Sequence, residues 1–73
     1  SGKAIFIECK TATGKPTLQQ CVFLLAMLAA GANAGIARNS EEALAICEMT
    51  DDLRQKMGEY IHGWLVKLRQ RGK

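Results

Sequence analysis

Seventy-three residues of 8.0 kDa leave room for one small domain, and a chain of this size buries only roughly 60% of its unfolded surface. With 48% apolar residues, 23% charged residues and a single proline, the composition excludes a disordered tail, a collagen-like repeat and a low-complexity linker. The longest unbroken apolar run, Cys21 to Ala30, is ten residues, too short to span a bilayer. No basic segment precedes a hydrophobic stretch with a cleavage site, so the expectation is a soluble cytoplasmic domain, without a membrane partner, that buries one face against something else.

Ala4–Lys10 (AIFIECK) is β-branched and aromatic and predicts a strand, with Ile5, Ile7 and Cys9 on one face and Phe6, Glu8 and Lys10 on the other. Thr11–Pro16 is a loop. Thr17 is a good helix N-cap with Gln20 three residues on as its capping-box partner, and the helix runs to about Ala30, where Gly31 is a natural stop. This helix is apolar almost all round, which suits a core, an oligomer interface or both. Ala34–Arg38 predicts a short second strand. Ser40 can cap a helix of about two turns over Glu41–Glu48, whose first-turn acids complement the dipole. Thr50 or Asp51 caps a third helix to about Arg69, with Leu53, Met57, Tyr60, Ile61, Trp64, Leu65 and Leu68 forming one apolar stripe and Gly63 marking a site of close packing.

Strand, helix, strand, helix, helix is a βαβ unit with additional C-terminal helices, an α/β fold in which the long crossover makes the two strands parallel. Two strands alone do not make a stable sheet, so further chain, a second copy, or both are expected to complete it. No internal repeat is present. The three cysteines, Cys9, Cys21 and Cys47, form neither a CxxC pattern nor a disulfide framework, which suits a reducing compartment, and all three are expected to act as small buried hydrophobes.

The net charge of +3 is unevenly laid out. Residues 1–40 carry Lys3, Lys10, Lys15 and Arg38 against Glu8 alone; the six other acids lie in residues 41–66; the last seven residues hold Lys67, Arg69, Arg71 and Lys73. Two basic ends around an acidic middle suit contact with a polyanion at one surface, and the terminal cations equally suit a helix C-terminus.

Glu8 and Lys10 share a strand face about 7 Å apart along the strand. Either the strand ends at solvent in two polar residues, or the pair faces a cleft. In a cleft, the carboxylate can hold a hard divalent cation while the ammonium steadies charge developing on a phosphate or an attacking water. His62, the only histidine, has no ligand partner at a useful spacing and is expected at the surface. Tyr60 and Trp64 can stack on bases, but their place on the apolar stripe favours packing.

The string FIECKTATGKPTLQQ, followed by an apolar helix and GANAGIARNSEEAL, resembles the VRR-Nuc family of the PD-(D/E)XK nuclease superfamily. The features that carry the resemblance are Glu8-Cys9-Lys10-Thr11, Gly14, Thr17, Gln20 and the segment Gly31 to Glu42, with Ile36 where valine is usual; it covers residues 3–48. The resemblance implies a restriction-endonuclease-like core. It also implies a metal-dependent endonuclease that hydrolyses phosphodiester bonds of branched DNA, Holliday junctions among them, in phage or bacterial replication and repair. Mg2+ or Mn2+ would be the cofactor, and the enzyme a homodimer. Glu8 and the main-chain carbonyl of Cys9 would be metal ligands, Lys10 the catalytic lysine, and Gln20 a residue reaching the site from the first helical turn, with Gln19 a weaker candidate. Gln20 can instead serve only as a capping-box residue. Lys3, Lys15, Arg38, Lys67, Arg69 and Arg71 would contact DNA, Arg38 alternatively pairing with Glu41 or Glu42. The family's second acidic ligand, an Asp on the preceding strand, has no counterpart here. The residues upstream of Lys3 look like the turn entering the strand or a tag remnant, and Asp51 and Asp52 come too late to match. The expectation is therefore a single domain over residues 1–73 that lacks the family's N-terminal portion. The alternative is a non-catalytic DNA-binding or oligomerisation remnant of a nuclease domain.

Overall fold

A computed structural model describes residues 3–71; the turn assigned to Ser1 and Gly2, and the terminal cation Lys73, lie outside the described residues. The chain forms β1 (Ile5–Cys9), α1 (Leu18–Ala29), β2 (Asn33–Ala37), α2 (Ser40–Cys47) and α3 (Asp51–Arg71). The two strands pair in parallel, with Ile7 opposite Gly35 and Glu8 opposite Ile36. This is the expected α/β arrangement.

The ends of α1 follow from local chemistry. At its start the Thr17 hydroxyl accepts from the Gln20 N–H at 3.1 Å, and the Gln20 side-chain oxygen accepts from the Thr17 N–H at 2.9 Å, a complete capping box. At its end Ala32 N–H donates to the Met27 carbonyl and Gly31 N–H to the Leu28 carbonyl, with Gly31 at φ 93°, a backbone region that glycine enters without a Cβ clash. Arg54 of α3 adds a second closure, its Nη1 donating to the carbonyls of Leu28 at 3.0 Å and Ala32 at 2.8 Å. A cation at a helix C-terminus satisfies orphan carbonyls and complements the dipole.

The cap of α2 is Asn39 rather than Ser40. The Asn39 side chain accepts from the Glu42 N–H at 2.8 Å, and the Glu42 carboxylate accepts from the Arg38 N–H at 2.7 Å. Capping one residue earlier puts an acid at the third helical position, where it can reach back; from Ser40 that position would be Ala43. Thr50 caps α3, its hydroxyl accepting from the Leu53 N–H.

The core lies where α1 and α3 cover one face of the sheet: Cys21, Leu24, Leu28, Ala34, Ile36, Ile61 and Leu65 are buried together, with Phe6, Met57, Trp64 and Leu68 packed on them. On α3 the expected stripe is the packed face, although Tyr60 is largely exposed. Ile46 of α2 is fully buried on the other side of β2. A Cβ on Gly35 would come within 2.8 Å of the Met57 side chain and 3.0 Å of Ile46, so this glycine lets the helices approach the strand. Gly63, expected to do so, faces open space.

Two of the cysteine expectations are overturned. Cys21 is buried, and burial raises its thiol pKa, but Cys9 and Cys47 are exposed. Cys9 ends a strand at the margin of the sheet, and Cys47 sits on the outer side of a two-turn helix. No helix among the described residues is long and apolar enough to cross a membrane.

Candidate active site

In β1 the hydrogen-bond ladder alternates. Asn33 N–H donates to Ala4 carbonyl and Lys10 N–H to Ala37 carbonyl. By that alternation the main-chain groups of Ala4, Phe6, Glu8 and Lys10 point at β2, and those of Ile5, Ile7 and Cys9 point away along the free edge. The side chains follow the pleat: Phe6 meets Phe23 of α1 edge to face, with ring centroids 5.3 Å apart. Glu8, two residues on, therefore stands on the α1 side of the sheet.

A groove runs between β1 and the first turns of α1, lined by Phe6, Glu8, Thr17, Gln19, Gln20 and Phe23, among others. Three of the residues singled out from sequence thus share one concavity: Glu8, Gln20 and Gln19. The capping box orients Gln20. Because its oxygen accepts from the Thr17 N–H, its amide NH2 is the end left for the groove. Capping and reaching into the site are compatible uses of one carboxamide. Lys10 continues the Glu8 face one step beyond the strand and is half-buried.

The oxygen donors here are of the kind a small divalent cation takes. Mg2+ is usually held by one or two carboxylates, with waters and substrate phosphates completing its shell. Glu8 supplies the carboxylate, and the Cys9 carbonyl lies on the unpaired edge of β1. Glu8 is the one carboxylate lining the groove, and no group of three or more His, Cys, Asp or Glu side chains converges among the described residues.

Arg38, expected to meet a phosphate or to pair with Glu41 or Glu42, forms no side-chain ion pair with either acid among the described residues and is spent on the fold. Nη1 donates to the carbonyls of Thr11 at 2.7 Å and Gly14 at 2.6 Å, and Nε and Nη2 donate to the Tyr60 hydroxyl at 3.3 and 2.9 Å. Four of its five N–H groups are spent on this bracket. It ties the loop after β1 to the middle of α3. The Tyr60 hydroxyl feels opposing influences: burial pushes its pKa up, but the Trp64 and Arg38 groups directed at it, with the positive charge of Arg38, outweigh burial and lower it. Neither the Arg38 bracket nor the Arg54 clamp left a local signature in sequence, since each joins residues more than twenty positions apart.

The remaining cations expected at DNA separate into two groups. Lys15, Lys67 and Arg71 line a second groove with Trp64 and Gln70. Lys3 and Arg69 are exposed and line neither groove. His62 is exposed, as expected. Trp64 is half-buried against the core, with the Lys67 ammonium 5.1 Å from its ring centroid. No family model, curated protein or solved structure matches this chain.

Proposed function

We propose that the chain is the catalytic-strand portion of a VRR-Nuc-like, restriction-endonuclease-like nuclease that hydrolyses phosphodiester bonds of branched DNA. The observation that carries this reading is the meeting of Glu8 and Gln20 in one groove, with Lys10 continuing the same strand face.

Glu8 and the Cys9 carbonyl would hold Mg2+ or Mn2+, which when bound lowers the pKa of water and draws charge from a phosphate oxygen. Lys10 presents a fixed positive charge toward the same face, where a phosphate gains negative charge in the transition state. The Gln20 amide donates a hydrogen bond and orients the oxygen that receives it. The hydrophobic wall of Phe6 and Phe23 lowers the local dielectric, which strengthens both effects.

A homodimer acting in the cytoplasm of a bacterial or phage-infected cell belongs to the same proposal. What supports it is the free edge of β1 and the outer face of α1, where Leu18 is 40% and Val22 50% exposed. A second reading, a DNA-binding remnant without catalysis, draws support from the single carboxylate in the groove.

The test is cleavage of a labelled four-way DNA junction in Mn2+, comparing the chain with Glu8→Ala. Cleavage by the parent, reduced at least about a hundredfold in the variant, is the expected result. An equal rate from both proteins would remove Glu8 from the reaction. Junction binding without cleavage by either would favour the second reading.

A further inference from the structure

The groove formed by Lys15, Trp64, Lys67, Gln70 and Arg71 lies outside the candidate active site, and its walls come from chain segments some fifty residues apart. One wall is the loop between β1 and α1. It is not a free tether: Gly14 N–H closes a turn on the Thr11 carbonyl, Pro16 is buried, and Arg38 grips the carbonyls of Thr11 and Gly14. The other wall is the last two turns of α3, joined to the same bracket through Tyr60. Lys15 is therefore held opposite Lys67 and Arg71, with a half-buried indole between them. No acid lines the groove. Cations at a helix C-terminus serve the helix dipole by themselves, but that role asks for neither a lysine from a distant, anchored loop nor an aromatic floor.

We propose that this groove binds an unpaired nucleotide of single-stranded DNA, its base stacked on Trp64 and its flanking phosphates held by Lys15, Lys67 and Arg71. An indole offers a stacking platform for any base, and a base is free to use it only where the duplex is open. Lys67 lies over the ring, 5.1 Å from its centroid, so a stacking base displaces this ammonium, which then pairs with the phosphate beside the base. The inference deepens the nuclease reading, since a branch point supplies unpaired bases beside duplex arms, and it rests on that reading only for the identity of the polyanion. The loop bearing Lys15 also joins the strand of Glu8 and Lys10 to the cap of α1, so a strand seated here enters the molecule next to the proposed reaction site.

Trp64 is the only tryptophan, so its fluorescence reports on this groove alone. The experiment titrates the chain with a short oligothymidylate in EDTA over a series of salt concentrations. The expected result is quenching of Trp64 on binding. The log–log salt slope should fall by about 0.7 for each of Lys15→Gln, Lys67→Gln and Arg71→Gln, the value for single strands. Lys67→Arg should keep the slope. Binding without quenching, or slopes unchanged in all three variants, would overturn the proposal. So would a blunt duplex of equal length that binds as tightly as the oligothymidylate. Quenching with no Glu8-dependent cleavage would refute the nuclease reading alone, whereas cleavage without quenching would refute the groove alone.

Discussion

The two strands are of equal length and lie side by side, yet they live in different surroundings. Every residue of β2 (NAGIA) is buried, whereas β1 (IFIEC), the more hydrophobic of the two, is exposed at both ends, with Ile5 46% accessible. Burial here is set by position in the architecture and not by the hydrophobicity of the segment. Small residues in β2 admit helices onto both faces, most closely at Gly35, while the bulky side chains of β1 occupy the sheet margin and the wall of a groove. The buried strand holds the fold together; the more exposed one carries Glu8 and leads into Lys10, the residues of the candidate site.

The largest expected effect that sharpens this contrast is in β2. Ile36→Ala, at a side chain only 3% exposed, should lower stability by about 2–5 kcal/mol, enough to leave so small a domain largely unfolded. Ile5→Ala should cost about 1 kcal/mol or less, because nearly half of that residue is already in water. Urea unfolding followed by circular dichroism reads both, and equal losses would break the comparison. Next comes Arg54→Met, which leaves the carbonyls at the end of α1 without their cation and should cost about 1.5–3 kcal/mol in the same assay. Gly31→Ala should cost about 1–2 kcal/mol, from the positive φ alone, since a Cβ there meets no neighbour.

Two smaller effects test the surroundings of single groups. A thiol reagent should modify Cys9 and Cys47 quickly in the native protein and Cys21 only after unfolding; three equal rates would contradict the burial of α1 against the core. Tyr60 is the only tyrosine, so an ultraviolet titration should find its phenol ionising below the ordinary value of about 10. Since the folded pKa is the depressed one, the unfolded chain binds more protons between the two values. Stability from this group should therefore be present above the unfolded pKa and lost as pH falls through the folded one. Tyr60→Phe should abolish that increment.

Much of the fold was legible because its signals are local. Thr17 and Gln20 specify a capping box within four residues, Gly31 ends a helix by its own φ, and a crossover of that length makes the strands parallel. That Glu8 and Gln20 line one groove was anticipated only through the family resemblance; the strand pleat and the first helical turn account for it once β1 and α1 are packed together. What sequence could not give is the use of Arg38 and Arg54. Each guanidinium looks like a surface cation along the chain and becomes a bracket only when distant carbonyls are folded beneath it. Cys9 was misjudged because apolar neighbours in sequence say nothing about whether a strand stands at the margin. Asn39 took the cap from Ser40 because that start puts Glu42 at the third helical position, where its N–H donates to Asn39 and its carboxylate accepts from the Arg38 N–H.

The most direct test of the central claim, that the margin of β1 holds the divalent cation, is paramagnetic broadening of backbone amide signals by Mn2+ added to the DNA-free protein. Broadening centred on Glu8, Cys9 and the start of α1 around Gln20, and lost in Glu8→Ala, is the predicted result. Broadening confined to the acidic segment between Glu41 and Asp52, unchanged by that substitution, would contradict it.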